Sequence, residues 1–209
     1  MKRMILFLLV LIVGSTAAIS QTNFGFKAGA NLAGQKKTFV DPISATKKTI
    51  NTKALIGYHA GVFSQTKLSA NLALHGEANF TIAGSRVVYL TESQILNPDG
   101  KTHYYKDEIG YFEVPLLVEY AFNKFHIGVG PGFSFKLFSR IADFEGENHN
   151  TTNYKSLDLS GNILFGAQLT KGWGIDLRYS QGLLNREREG NQYTTTGTSF
   201  TVSVLYTLK

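Results

Sequence analysis

From Leu68 to Ile82 the chain alternates with a period of two. Leu68, Ala70, Leu72, Leu74, Gly76, Ala78, Phe80 and Ile82 share one face, and Ser69, Asn71, Ala73, His75, Glu77, Asn79 and Thr81 share the other. That is the period of a β-strand; a helix would scatter the same residues around its axis. The pattern recurs with Phe125, Ile127, Val129, Pro131, Phe133, Phe135 and Leu137, with Leu157, Leu159, Ile163, Phe165, Ala167 and Leu169, and with Phe200, Val202, Val204, Tyr206 and Leu208. Weaker alternation covers Asn23 to Leu32, Leu55 to Ser64, Ile109 to Phe122 and Trp173 to Ser180. Eight strands are therefore expected, many near the length a tilted strand needs to cross a bilayer.

The connections sort by length. Gln65-Thr66-Lys67, Asn123-Lys124 and Lys171-Gly172 are tight, whereas the segments near Ala33 to Ala54, Gly84 to Glu108, Phe138 to Lys155 and Gln181 to Gly197 are long and polar. Tight and long connections alternate, as they do between periplasmic turns and external loops of outer-membrane barrels. A lipocalin-like barrel would show the same alternation with its apolar face inward. Two features favour the opposite orientation. The polar face is rich in Gly, Ser, Asn and Thr with scattered charge, and Tyr120, Phe122, Phe125, Trp173 and Tyr206 gather near the turn end of the apolar face, as in an interfacial girdle. The expected fold is all-β: an eight-stranded antiparallel up-and-down transmembrane β-barrel with Leu72, Phe133 and Val204 facing lipid.

Two prolines interrupt this pattern. With Asn123-Lys124 as a two-residue hairpin turn, Glu119 faces Gly128, Leu117 faces Gly130, Pro115 faces Gly132 and Glu113 faces Ser134. Pro115 then removes a donor toward the preceding strand and Pro131 removes one toward the strand that carries Pro115. A closed barrel has no edge to accommodate them, so a bulge or local ladder break is expected there, with inward polar side chains or water serving the freed carbonyls.

The first residues stand apart. Met1-Lys2-Arg3, the apolar run Ile5 to Val13 and Ala18-Ile19-Ser20 have the three-part organisation of a signal peptide, which places cleavage after Ser20 and gives 1–20 as signal peptide and 21–209 as barrel domain. The formal charge of +6 falls to +4 without Lys2 and Arg3, too small and dispersed to suggest nucleic acid. With no cysteine, disulfides, thiolate metal sites and thiol nucleophiles are excluded.

The opening Phe24-Gly25-Phe26-Lys27-Ala28-Gly29, the strand Tyr111-Phe112-Glu113-Val114-Pro115-Leu116-Leu117, the segment Gly128-Val129-Gly130-Pro131-Gly132 and the run Asp176-Leu177-Arg178-Tyr179-Ser180-Gln181-Gly182-Leu183 carry a family likeness. The sequence resembles the outer-membrane β-barrel domain common in Bacteroidota, the PorT-like or "porin family" proteins, comparable in size to OmpA and OmpX barrels. The resemblance implies residence in the cell outer membrane, insertion by the barrel-assembly machinery, and no particular activity. Its departure is the ending Tyr206-Thr207-Leu208-Lys209, where such barrels usually finish on an aromatic residue.

Candidate chemistry lies on the polar face: Lys27, Asn31, His59, Asn71, His75, Glu77, Glu113, Glu119, His126, Lys136, Asp158, Asp176 and Arg178. In an eight-stranded barrel such residues fill the lumen and neutralise one another. His59, His75 and Glu77 form the alternative, a two-His, one-carboxylate metal site, because pairing across Gln65-Thr66-Lys67 would set His59 opposite Ala73 and diagonal to His75. An acyltransferase or lipase would need a serine and histidine at the outer leaflet, and His103, His149, Ser93 and Ser139 are the residues available. The mutual compensation of the polar set favours a non-enzymatic reading with no metal and no cofactor. The loop lysines Lys36, Lys37, Lys47, Lys48 and Lys53 suggest contact with lipopolysaccharide phosphates in addition to bulk lipid. Three roles stay open at this level: a structural or interaction protein acting through its external loops, a PorT-like accessory of secretion, and a small solute channel.

Overall fold

The computed structural model describes residues 22–40, 46–89, 103–142, 148–150, 154–187 and 193–208; the expected signal peptide lies outside them. Among the described residues ten strands occur in chain order: β1 Thr22–Val40, β2 Lys47–Asn51, β3 Lys53–Lys67, β4 Leu72–Tyr89, β5 His103–Phe122, β6 Phe125–Ala142, β7 Asn148–Asn150, β8 Leu157–Gln168, β9 Trp173–Gly182 and β10 Tyr193–Thr207. Eight of them, all but the short β2 and β7, pair antiparallel with their chain neighbours, and β10 returns to pair with β1, closing the barrel. Among the described residues, β2 and β7 pair only with the outer ends of β1 and β6.

The alternation resolves as expected for lipid outside and polar groups within. Leu72 and Val204 are 41% and 48% exposed, and Phe133 also points out. Lys27, His75, Glu77, Glu119, Asp176 and Arg178 are buried on the alternate face. The lumen is not purely polar, however: Phe63, Leu117, Leu164 and Leu205 also point inward. Leu164 breaks no rule of period two, since its neighbours Ile163 and Phe165 are exposed. Around the turn end, Trp173 and Tyr206 lie 4.9 Å apart, and Phe125 lies 5.9 Å from both Phe122 and Phe165, so the aromatic girdle is continuous over several strands.

The β5–β6 hairpin has the expected register, with Glu119 opposite Gly128, Pro115 opposite Gly132 and Glu113 opposite Ser134. Asn123 adopts φ 56°, a left-handed conformation that asparagine tolerates. At the prolines the ladder breaks without a bulge. β4–β5 pairing stops at Gly76↔Leu116 and resumes in the same register at Asn79↔Glu113, while β5–β6 pairing skips Leu116 and Leu117. Asn162 and Ser160 side chains on β8 donate to the carbonyls of Gly130 and Gly132 on either side of Pro131, adding β6–β8 bonds beside the interrupted β5–β6 ladder. Gly130 matters here: a Cβ would stand 2.0 Å from the Leu116 carbonyl oxygen. Gly130→Ala is expected to lose about 1–3 kcal/mol of folding stability from overpacking, measured by urea titration of the liposome-inserted barrel. The true irregularities lie nearer the outer end, between Gly110 and Tyr111 on β5 and between Ala54 and His59 on β3. At the second, the Asn31 amide donates to the Ile82 carbonyl at 3.0 Å, supplying a bond where the ladder slips.

Two turns differ from expectation. β3 continues through Gln65-Thr66-Lys67, and the chain reverses at residues 68–71, where the amides of Leu68 and Ser69 both donate to the Leu72 carbonyl. Asn71 therefore sits exposed in this turn rather than in the lumen, its amide donating to the Ala121 carbonyl. The β8–β9 connection is residues 169–172, longer than Lys171-Gly172, with Gly172 at φ 91°. The loops are shorter than expected because β1, β4, β5, β6 and β10 continue past the apolar belt.

Candidate functional site

The lumen holds two tiers of charge. The inner tier is centred on Glu77, which β4 places opposite Phe63 on β3. One carboxylate oxygen of Glu77 accepts from Lys27 Nζ at 2.8 Å and from the Arg178 guanidinium, and lies 2.8 Å from His75 Nε2; the other accepts from Asn79 at 2.7 Å. His75 Nδ1 lies 3.0 Å from Glu119, which also accepts from Gln65 at 2.6 Å. Asp176 joins from β9, 3.6 Å from Lys27 and 3.0 Å from His126. Every charged member thus meets an opposite charge, the condition for burying ions at all. The stacking of Phe63 on His75, centroids 5.4 Å apart, fills the space beside the hub.

The outer tier is built by the chain that follows β9. The Arg186 guanidinium turns inward to pair with Asp158 on β8, 5.5 Å above the Tyr111 ring. Asn185 accepts from the amides of Glu187 and Thr195, Glu187 accepts from the Thr195 hydroxyl at 2.9 Å, and Tyr154 bridges to Glu187 in the backbone. The Tyr154 hydroxyl donates to Asp107, which also accepts from Gln35 at 3.3 Å. Burial, reinforced by the Asp107 charge, raises the Tyr154 phenol above its ordinary value, so it remains a donor. Lys136 Nζ donates to the Tyr154 carbonyl at 2.7 Å.

Between the tiers lies a cavity of about 50 Å³, lined by Asn79, Glu113, Arg178, Arg186 and neighbouring Ser, Thr and Asn side chains. Glu113 accepts from Thr81 at 2.8 Å. Among the described residues, Asn31 Oδ1, Asn79 Oδ1, His59 Nδ1 and Arg178 Nε near this space have no protein hydrogen-bond partner. A polar cavity of this size accommodates a few waters and no sizeable solute.

His75, Glu77, Glu119, Asp176 and Arg178 are thus gathered in the inner tier, Asp158 and Lys136 in the outer, and Glu113 between them. His59 is separate. It faces Thr81 rather than Ala73, because the turn falls farther along the chain, and its Nε2 bonds to Ser203 at 2.9 Å. His59, His75 and Glu77 therefore do not form a metal site; both nitrogens of His75 face carboxylates. Ser139 is buried inside the wall, and Ser93 and the side chains of His103 and His149 lie outside the described residues. The sequence reading missed Gln35, Tyr154, Asp107 and Arg186. The first lies just beyond the expected end of its strand. Arg186 sits in Arg186-Glu187-Arg188-Glu189, a mixed-charge run indistinguishable in sequence from a solvated loop.

Against solved structures, the chain is similar to Ail of Yersinia pestis, crystallised with the heparin analogue sucrose octasulfate, at 10% identity and TM-score 0.48, covering 90% of this chain and 99% of that one. It is similar to Neisserial surface protein A at 11% identity and TM-score 0.49, covering 87% and 96%. It is also similar to the outer membrane protease OmpT of Escherichia coli at 10% identity and TM-score 0.40, covering 90% and 96%. Such likeness says nothing of what those proteins bind or cut. No curated protein matches the chain in sequence. The family description "outer membrane protein beta-barrel domain" matches residues 16–186. With that match over most of its length and an apolar belt facing outward, the chain belongs to the outer membrane protein beta-barrel domain family and resides in the cell outer membrane.

Proposed function

We propose that this is a non-enzymatic barrel with a sealed lumen, serving as a structural or interaction protein at its outer mouth. The observation that carries this reading is the pair of closures in series, Lys27–Glu77–Arg178 below and Arg186–Asp158 with Tyr154–Asp107 above. Solute would have to break buried ion pairs twice. The outer mouth, by contrast, is built for contact. β4 runs on from Ile82 to Tyr89, about 23 Å along the strand, and β2 and β7 widen the wall there. This gives a rigid rim beyond the bilayer, and positions on strands hold their geometry better than positions on loops.

Planar-bilayer recording tests the closure. Purified protein is expected to give no steady single-channel current, and steady currents would restore the solute-channel reading. Native co-purification tests the role of the rim. Recovery of the barrel without translocation machinery is expected, whereas recovery with that machinery would favour a PorT-like accessory.

A further inference from the structure

The outer wall carries a transverse row of cations. In the ladder β3–β4–β5, Lys53 stands directly opposite Arg86, and Arg86 directly opposite Lys106. All three are exposed. Their neighbours Ser85 and Asp107 are buried in the lumen, so Arg86 and Lys106 point outward, and Lys53, paired with Arg86, shares that face. Arg140 on β6, opposite Glu108 on β5, extends the patch; Glu108 lies 2.6 Å from Lys106, and Lys53 has an interaction of its own. On the far side of the barrel, β10 offers Thr194, Thr196 and Thr198 at its outer end.

Like charges set directly opposite on neighbouring strands are destabilising. An anion alongside stabilises such a row, and its height says which anion. On β4 the outward apolar residues run from Leu72 to Ile82, about 33 Å along the strand and about 25 Å along the membrane normal at a ~40° tilt. Arg86 follows Ile82 by four residues, about 10 Å higher on the same reckoning. On β3, Lys53 precedes the 73% exposed Ile56 by only three residues. The row thus faces sideways into the headgroup layer, and its long side chains can lean toward it.

We propose that Lys53, Arg86 and Lys106 form a binding row for the phosphate groups of a glycolipid in the outer leaflet, holding lipopolysaccharide against the β3–β5 wall. The chemistry is phosphate recognition, and the source is the lipid rather than free phosphate, because the row faces the bilayer and not the lumen or the medium. The lysine-rich first loop only partly supplies it: Lys53 belongs to the row, Lys36 stands opposite Asn51 and Lys47 opposite Val40 on the β1–β2 ladder, Lys37 is half-buried, and the Lys48 side chain lies outside the described residues. The proposal requires only the outer-membrane location and stands whether or not the lumen conducts.

The test uses the full barrel in phosphatidylcholine nanodiscs containing either bisphosphorylated lipid A or the same lipid dephosphorylated, with lipid retained per barrel read by native mass spectrometry. Retention of the phosphorylated form is expected to exceed the other by at least about tenfold, since each basic residue near an anionic surface contributes appreciably. Lys53→Gln, Arg86→Gln and Lys106→Gln together should abolish that excess. Removing the same charge at the opposite rim, Lys67→Gln, Lys124→Gln and Lys171→Gln, should preserve it, with heat-modifiable migration on gels confirming that both variants fold. Equal retention of the two lipids by the unaltered barrel overturns the proposal without reference to any variant. So does an excess that survives loss of the row, or displacement of the lipid by millimolar inorganic phosphate.

Discussion

Glu77→Gln is expected to cost the folded barrel about 3–5 kcal/mol, the range for removing one partner of a buried ion pair. Glutamine keeps the shape and can still accept a hydrogen bond, so the loss isolates charge from packing. Lys27 retains Asp176 at 3.6 Å, but Arg178 loses its carboxylate partner while remaining buried in the lumen. Unfolding in urea from liposomes, followed by tryptophan fluorescence of Trp173, measures the change. Adding Arg178→Met to Glu77→Gln should recover part of the loss, since the orphaned charge goes with it. A cost below about 1 kcal/mol for the single change would show that the hub is solvated and that the lumen is not sealed at this level.

Val129→Arg comes next, at about 2–4 kcal/mol if the residue lies near the bilayer midplane. Val129 is 54% exposed on the lipid face of β6, between the outward Ile127 and Pro131. Its counterpart is Ser134→Lys on the same strand. Ser134 is buried in the lumen, opposite Glu113 on β5 and Asp158 on β8, so a lysine there would stand between two carboxylates. The expected ratio is the informative quantity: the lumen change should cost less than half of the lipid-face change in one refolding series. Equal costs would mean that the faces are assigned the wrong way round.

Much of this arrangement is legible in the chain because alternation and turn length are local. Asn123-Lys124 alone sets the β5–β6 register, and the match of inward Glu119 and Glu113 with Gly128 and Ser134 follows from it. The β3–β4 hairpin was misplaced because Leu68 and Ala70 continue the alternation through the turn itself, so no break in pattern marks residues 68–71. That displacement moved His59 away from His75 and dissolved the metal site. The strand extensions were hidden for a related reason. Beyond the belt, as at Gly34 to Thr38 or Gly84 to Arg86, the outward face leaves the hydrocarbon and loses its apolar signal. The inward turn of Arg186 depends on Asp158, distant in sequence, and such a long-range pair leaves no local trace.

The seam between β1 and β10 runs from Gly25↔Thr207 to Phe39↔Tyr193. It joins the earliest-made strand of the barrel to the last, and until it forms both borders of the sheet present bare amides and carbonyls to hydrocarbon, each costing several kcal/mol. No partial cylinder can therefore rest in the bilayer. Insertion and closure of this seam are therefore expected to be coupled, because a chain cut short before Tyr193 would leave the β1 border unpaired in hydrocarbon.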